Sequence, residues 1–119
     1  MKLKIDLKVG LEFSPQTFLI SSDEQQDKLD CCDIEHTSYG DFVDVAMLGL
    51  PTLQVLIDNG IPILGAVHLS QRFRQLRPLR LDETIRISGR IIKINPHPRG
   101  SIICCEFKYE NEKDQICVQ

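Results

Sequence analysis

The stretch Val45–Leu64, "VAMLGLPTLQVLIDNGIPIL", decides how the chain folds. Pro51 suits the first turn of a helix, where its missing N–H would have no partner anyway. Leu50, Leu53, Leu56 and Ile57 recur at helical spacing. Asn59-Gly60 is a C-terminal stop, and Pro62 reinforces it. The spacing predicts a helix over 50–58. Leu53, Val55, Leu56 and Ile57 cover most directions around its axis, so the helix is expected to be buried on most sides.

Downstream the pattern changes from helical to period two. The alternation predicts strands over 65–76, 83–94, 100–109 and 115–118. Pro78 with "LRLDE", then "NPHPRG", then "ENEKD" separate them as turns. Upstream, "LKIDLKV" (3–9) and "QTFLI" (16–20) read as short strands. A short helix is expected over 23–31. Ser22 is its N-cap, Gln25 sits three residues on, and Asp23 and Glu24 suit the positive end of the helix dipole. Residues 33–44 are polar and turn-like. The order is short helix, apolar helix, then an antiparallel meander of long strands. That is an α+β arrangement, with a sheet curling around a single helix.

The chain has 119 residues, 42% hydrophobic and 26% charged. This fits one domain with a real core. The first residues alternate apolar and polar and lack the apolar run of a signal peptide. No segment approaches a membrane span of about 18 apolar residues. The five cysteines are Cys31, Cys32, Cys104, Cys105 and Cys117. Their number is odd, adjacent cysteines bridge poorly, and no spacing fits zinc. Reduced thiols in a cytoplasmic protein are expected, with no metal and no cofactor.

Six arginines fall between Leu69 and Ile91 in a chain whose formal net charge is −3. Over 67–75 the apolar set is Val67, Leu69 and Phe73, and the polar set is His68, Ser70, Arg72 and Arg74. Arg86, Ser88 and Arg90 continue the polar set opposite Ile85, Ile87 and Ile91. Two neighbouring strands would build an outward basic patch, partly neutralised by Asp82, Glu83 and Glu106. Four readings are open: a solvated face, contact with a second domain, phosphate binding by guanidinium forks, and nucleic acid. The last is disfavoured by the net charge and by the lack of interleaved aromatics or a recognition helix.

The segment from Leu48 to Ile91 resembles MaoC-like hydratase/dehydratase domains. The residues that carry the likeness are Pro51-Thr52 at the helix start, Arg77-Pro78-Leu79, the acidic turn Asp82-Glu83-Thr84, and Gly89-Arg90-Ile91, with Arg99-Gly100 opening the next strand. The likeness covers residues 40–119. It implies the hot-dog fold, an antiparallel sheet wrapped on one helix, over a single domain 1–119. It also implies chemistry on acyl thioesters. Active domains of this kind carry Gly-Asp-x-Asn-Pro-x-His before the helix. There the Asp and His handle the proton and water of enoyl hydration or its reverse, and a backbone N–H at the helix start polarises the thioester oxygen. Here the stretch is "GDFVDVA": Gly40-Asp41 match, but Val43, Asp44 and Ala46 replace Asn, Pro and His.

The resemblance therefore implies the degenerate, N-terminal half of a two-repeat or two-subunit protein. Such a half shapes the acyl tunnel and pairs with a catalytic hot-dog domain, or with a second copy. Asp41 is the one candidate catalytic residue. Pro51, Thr52, Arg72 and Arg74 are candidate substrate contacts, and the ligand is an acyl-CoA or acyl-carrier-protein thioester. The alternatives are a non-enzymatic binding or scaffold module, and a hot-dog thioesterase using Asp41 or Asp44. His68 reads as a packed or solvated strand residue, His97 as a turn residue, and His36 lies near the catalytic stretch.

Overall fold

The computed structural model describes residues 7–32, 40–61 and 69–119. Four strands form one antiparallel sheet in the order β1-β2-β3-β4: β1 Glu12–Phe18, β2 Ile85–His97, β3 Gly100–Glu110 and β4 Ile116–Val118. Two helices, α1 Ser22–Cys31 and α2 Gly49–Asp58, precede the long strands, and a 3-10 turn at Val45–Leu48 leads into α2. This is the expected α+β architecture. None of the described helices is long and apolar enough to cross a membrane.

α2 starts one residue before the predicted boundary and ends at Asp58, as the sequence suggested. Its stop is a full Schellman motif. Gly60, at φ +79°, donates to the Ile57 carbonyl, and Ile61 N–H reaches back to the Leu56 carbonyl. The helix is fastened to β1 at this end: Ser14 N–H donates to Asn59 Oδ1 at 2.9 Å, and Gln16 Nε2 to Asp58 Oδ2 at 2.9 Å. Thr52 and Val55 face inward and are buried.

The expectation of burial on most sides is not met. Leu50, Leu53 and Ile57 are 76%, 38% and 48% exposed. They stand at i, i+3 and i+7, so they form one stripe on the side of α2 away from the sheet. Apolarity all round a helix says that each side seeks cover. It does not say that the same chain supplies it.

The sheet's concave face follows the pleat. Ile85, Ile87 and Ile91 of β2 are buried, with Phe13 from β1, Tyr109 from β3 and Val118 from β4. A register slip between Ile91 and Lys93 then changes the parity of β2, leaving Ile92 exposed and turning Ile94 toward the core. Gly89 sits between Phe13 and Phe107 in the ladders, and those two rings stack over it at 5.8 Å. A Cβ on Gly89 would stand 2.5 Å from the Phe107 ring.

Several boundaries differ from expectation. The first strand lies at 12–18 rather than 16–20, because Phe13, Gln16, Thr17 and Phe18 find partners on β2. Residues 7–9 are not a strand, and the rest of the 3–9 expectation lies outside the described residues. The cap of α1 is Ser21, whose side chain accepts from Glu24 N–H at 3.1 Å. Ser22 instead binds Asp82, through its N–H at 3.1 Å and its hydroxyl at 2.5 Å. β2 runs on through Pro96 to His97, so only Pro98-Arg99 turn. Pro96 is tolerated because β1 ends its pairing with β2 at Arg90, so a missing N–H on that side costs no ladder bond.

The strand expected over 65–76 is the larger correction. Of its described part, residues 69–76 are irregular, touching the sheet through a bridge between Gln75 and Val118. That bridge lies on the far side of β4. This segment therefore does not neighbour β2, and the basic patch expected from Arg72, Arg74, Arg86 and Arg90 does not form. Arg90 and Arg86 instead stand across from Glu106 and Glu110 on β3, and Arg90 pairs with Glu106 at 3.8 Å.

Candidate functional site

The stretch that precedes α2 is held as a strap across α1 and the 79–81 loop. Val43 N–H donates to the Leu79 carbonyl and Leu81 N–H to the Asp41 carbonyl, each at 2.8 Å. Phe42 pairs with Arg80 in an antiparallel bridge, and the Arg80 guanidinium lies 5.7 Å over its ring. The buried Gln25 amide clamps the strap from α1: Nε2 donates to the Phe42 carbonyl at 2.8 Å, and Oε1 accepts from Asp44 N–H at 2.7 Å.

Val43 and Asp44 of this strap have structural occupations. Val43 is 4% exposed and belongs to the core. Asp44 accepts from Lys28 Nζ at 3.0 Å and from Ala46 N–H at 3.1 Å, which starts the 3-10 turn. Its carboxylate is thereby engaged on both oxygens. Ala46 is exposed and has no group to exchange a proton. Asp41 alone projects an exposed carboxylate, and no hydrogen-bond or ion-pair partner holds it among the described residues. A general base needs a second group to orient it or pass its proton on, and the strap supplies none.

At the start of α2, Pro51 is half-buried and Thr52 is 8% exposed. Thr52 Oγ1 donates to the Leu48 carbonyl at 3.1 Å and makes a short contact with Tyr109 Oη, which itself donates to the same carbonyl at 3.0 Å. Burial pushes the Tyr109 hydroxyl above its ordinary pKa, so it remains a proton donor. This knot binds α2 to β3. Arg72 and Arg74 are exposed on the irregular 69–76 segment, and Arg74 exchanges backbone hydrogen bonds with Gln119 at 2.8 and 3.0 Å. The structure thus brings Pro51 and Thr52 together at the helix start, and sets Arg72 and Arg74 by the outer side of β4.

The remaining reactive groups are dispersed. His97 ends β2, exposed, with Nδ1 accepting from Arg99 N–H at 3.1 Å. His36 and His68 lie outside the described residues. The Cys105 thiol is pushed up to about 11, chiefly by burial and then by the neighbouring Cys104, so it is no thiolate nucleophile at neutral pH. No cluster of three metal-ligating side chains exists among the described residues. In the shallow cleft beside the β3–β4 hairpin, Glu83 accepts from Glu112 N–H and Glu112 from Thr84 N–H, both at 3.1 Å. Those carboxylates brace the hairpin. The feature that sequence reasoning missed is the exposed Leu50, Leu53 and Ile57 stripe. Its spacing was visible, but its exposure depends on the tertiary neighbours of α2.

No family model matches the chain, and no curated protein matches it. Solved structures do. The HadBC (3R-hydroxyacyl-ACP dehydratase) complex from Mycobacterium tuberculosis matches with a TM-score of 0.79 at 15% identity, over 98% of this chain and 94% of that one. The (R)-hydratase from A. caviae involved in PHA biosynthesis gives 0.73 at 13% identity, over 94% and 91%. The MaoC-like dehydratase from Rhodospirillum rubrum gives 0.71 at 12% identity, over 94% and 87%. The chain thus has the hot-dog fold of MaoC-like dehydratases and (R)-hydratases. The resemblance seen in the sequence holds at the level of the fold.

Proposed function

We propose that this chain is a MaoC-like hot-dog unit that has kept the architecture for handling acyl thioesters and lost the proton-transfer pair. One observation carries the reading. The strap in front of α2 has the place of a catalytic loop, yet Val43 is spent on the core and Asp44 on Lys28 and a turn cap. Such a unit acts through its partner. It lines part of the acyl tunnel with the apolar side of α2 and leaves hydration or dehydration to a second hot-dog domain. The Leu50, Leu53 and Ile57 stripe supports this, because an apolar row at helical spacing is left for another surface to cover. The HadBC structure is a complex, which is the kind of assembly this reading requires. The ligand would be an acyl-CoA or acyl-carrier-protein thioester in a reducing, cytoplasmic setting. Pro51, Thr52, Arg72 and Arg74 remain its candidate contacts.

The test is complementation. A catalytic MaoC-like subunit is assayed for hydration of crotonyl-CoA with and without this chain. Turnover that rises with added chain and saturates at one equivalent is expected. A rate indifferent to the chain, together with no thioester binding by the mixture, would favour the scaffold alternative.

A further inference from the structure

We propose that Asn59, at the stop of α2, is a site of self-modification, where the Gly60 nitrogen closes on the Asn59 side chain and the amide becomes a carboxylate. The chain has three asparagines, Asn59, Asn95 and Asn111, and only Asn59 precedes a glycine. The reaction uses the backbone nitrogen of the next residue as nucleophile, and it needs room around that atom. Glycine, lacking a Cβ, crowds it least. Asn95 precedes Pro96, whose ring nitrogen has no N–H to give up. Asn111 precedes the bulkier Glu112 and is held in the β3–β4 hairpin, its Oδ1 accepting from Lys113 and Gln115 N–H, both at 3.0 Å.

The chemistry balances with water as its one co-reactant. The Gly60 nitrogen bonds to Asn59 Cγ and the Cγ–Nδ2 bond breaks. The proton that Gly60 gives up ends on the departing Nδ2, which leaves as ammonia. Water then opens the succinimide ring at either carbonyl. One opening leaves aspartate, the other isoaspartate, in which the backbone runs through Cβ and Cγ.

The fold holds this reaction back. Asn59 Oδ1 accepts from Ser14 N–H at 2.9 Å, and Nδ2 donates to the Val55 carbonyl at 2.8 Å. Gly60 N–H is engaged by the Ile57 carbonyl at 3.0 Å. Ring closure also needs the Gly60 nitrogen turned to the side of the Asn59 Cβ, and at an Asn59 ψ of 9° it is turned away. These constraints are released together when the last turn of α2 opens, and helix ends are where local opening costs least. Asn59 is half-buried and Gly60 exposed, so water reaches the opened turn.

The product is a different molecule. Either acid places a negative charge beside Asp58 at the carbonyl end of α2, where the helix dipole disfavours it. The Val55 carbonyl loses its side-chain donor. Isoaspartate also lengthens the backbone inside the Schellman motif and so displaces the Gly60–Ile57 and Ile61–Leu56 bonds. The modification therefore loosens the end of α2 where it is fastened to β1, and it does so whether or not the chain handles thioesters.

Ageing the purified chain in mildly alkaline buffer, folded and in urea, tests the proposal, with each time point digested and mapped by mass spectrometry. In urea the peptide carrying Asn59 should convert first, to aspartate and isoaspartate forms that chromatography resolves. In the folded chain the same site should convert more slowly, by roughly tenfold or more. Gly60→Ala, compared in urea where folding plays no part, should slow the conversion. The aged folded protein should show a lower urea midpoint than fresh protein, and Asn59→Asp should reproduce part of that drop. Conversion at Asn95 or Asn111 ahead of Asn59, an Asn59 that reacts as fast folded as in urea, indifference to Gly60→Ala, or an unchanged midpoint after conversion would each overturn the proposal.

Discussion

At Gly89 three strands share one ring stack. Phe13 and Phe107 close over the glycine from either side, and an added methyl would stand 2.5 Å from Phe107. Gly89→Ala should therefore cost about 1–3 kcal/mol through over-packing, read as a lower urea midpoint with an unchanged slope. Thr52 and Tyr109 form a second contact of this kind, sharing the Leu48 carbonyl. Thr52→Val and Tyr109→Phe should each cost about 0.5–1.5 kcal/mol, and the double variant more than their sum, because each single change leaves the other hydroxyl on the carbonyl and only the double removes both. The Cys105 thiol gives a pH signature. Its folded value of about 11 lies above the ordinary 9.0, so the folded state holds its proton longer than the unfolded chain does. That contribution is fully present below pH 9 and is lost as pH rises through 11. Stability should thus fall between these values in thermal melts, by less than the roughly 1.4 kcal/mol per pH unit of a fully buried group, and Cys105→Ala should flatten the slope. Thr52 was legible as a residue at the helix start. Its partner, 57 residues away, was not, since local pattern cannot say which strand a side chain will meet.

The elements were legible in kind and only partly in surroundings. α2, β2, β3 and β4 stand within a few residues of the expected places, because period, turn residues and the Asn59-Gly60 stop are local signals. What lay against them was not local. α2 read as a helix buried on most sides, yet Leu50 and Ile57 are exposed. Leu50→Lys and Ile57→Lys should leave the chain's own stability within about 0.5 kcal/mol while abolishing complementation of a catalytic subunit. Loss of fold in either variant would mean that this side of α2 is covered by the same chain. α1 is held to the strap by the buried Gln25 amide, beside the Lys28–Asp44 pair and the Ser22–Asp82 bonds. Gln25→Leu strands the Phe42 carbonyl and the Asp44 N–H, and should cost about 1–3 kcal/mol in chemical denaturation.

For the whole molecule, period-two alternation and one apolar helix were enough to indicate a sheet curled on a helix. The strand order was not available, because consecutive strands are expected to be neighbours. In the structure the segment that follows α2 touches the far side of β4 instead. That one displacement moves Arg72 and Arg74 away from Arg86 and Arg90 and dissolves the expected basic patch. That Val43, Asp44 and Ala46 stand where the resemblance expects Asn, Pro and His was legible by position. The contacts of this stretch were not, because Gln25, Lys28 and Leu79 meet the strap only in three dimensions. The central claim is that a hot-dog unit built this way does not turn over thioesters alone. Its most direct measurement is hydration of crotonyl-CoA by the purified chain, followed as loss of enoyl-thioester absorbance beside an Asp41→Asn control. No rate above buffer is expected from either protein. Steady turnover by the unaltered chain that disappears in Asp41→Asn would contradict the account.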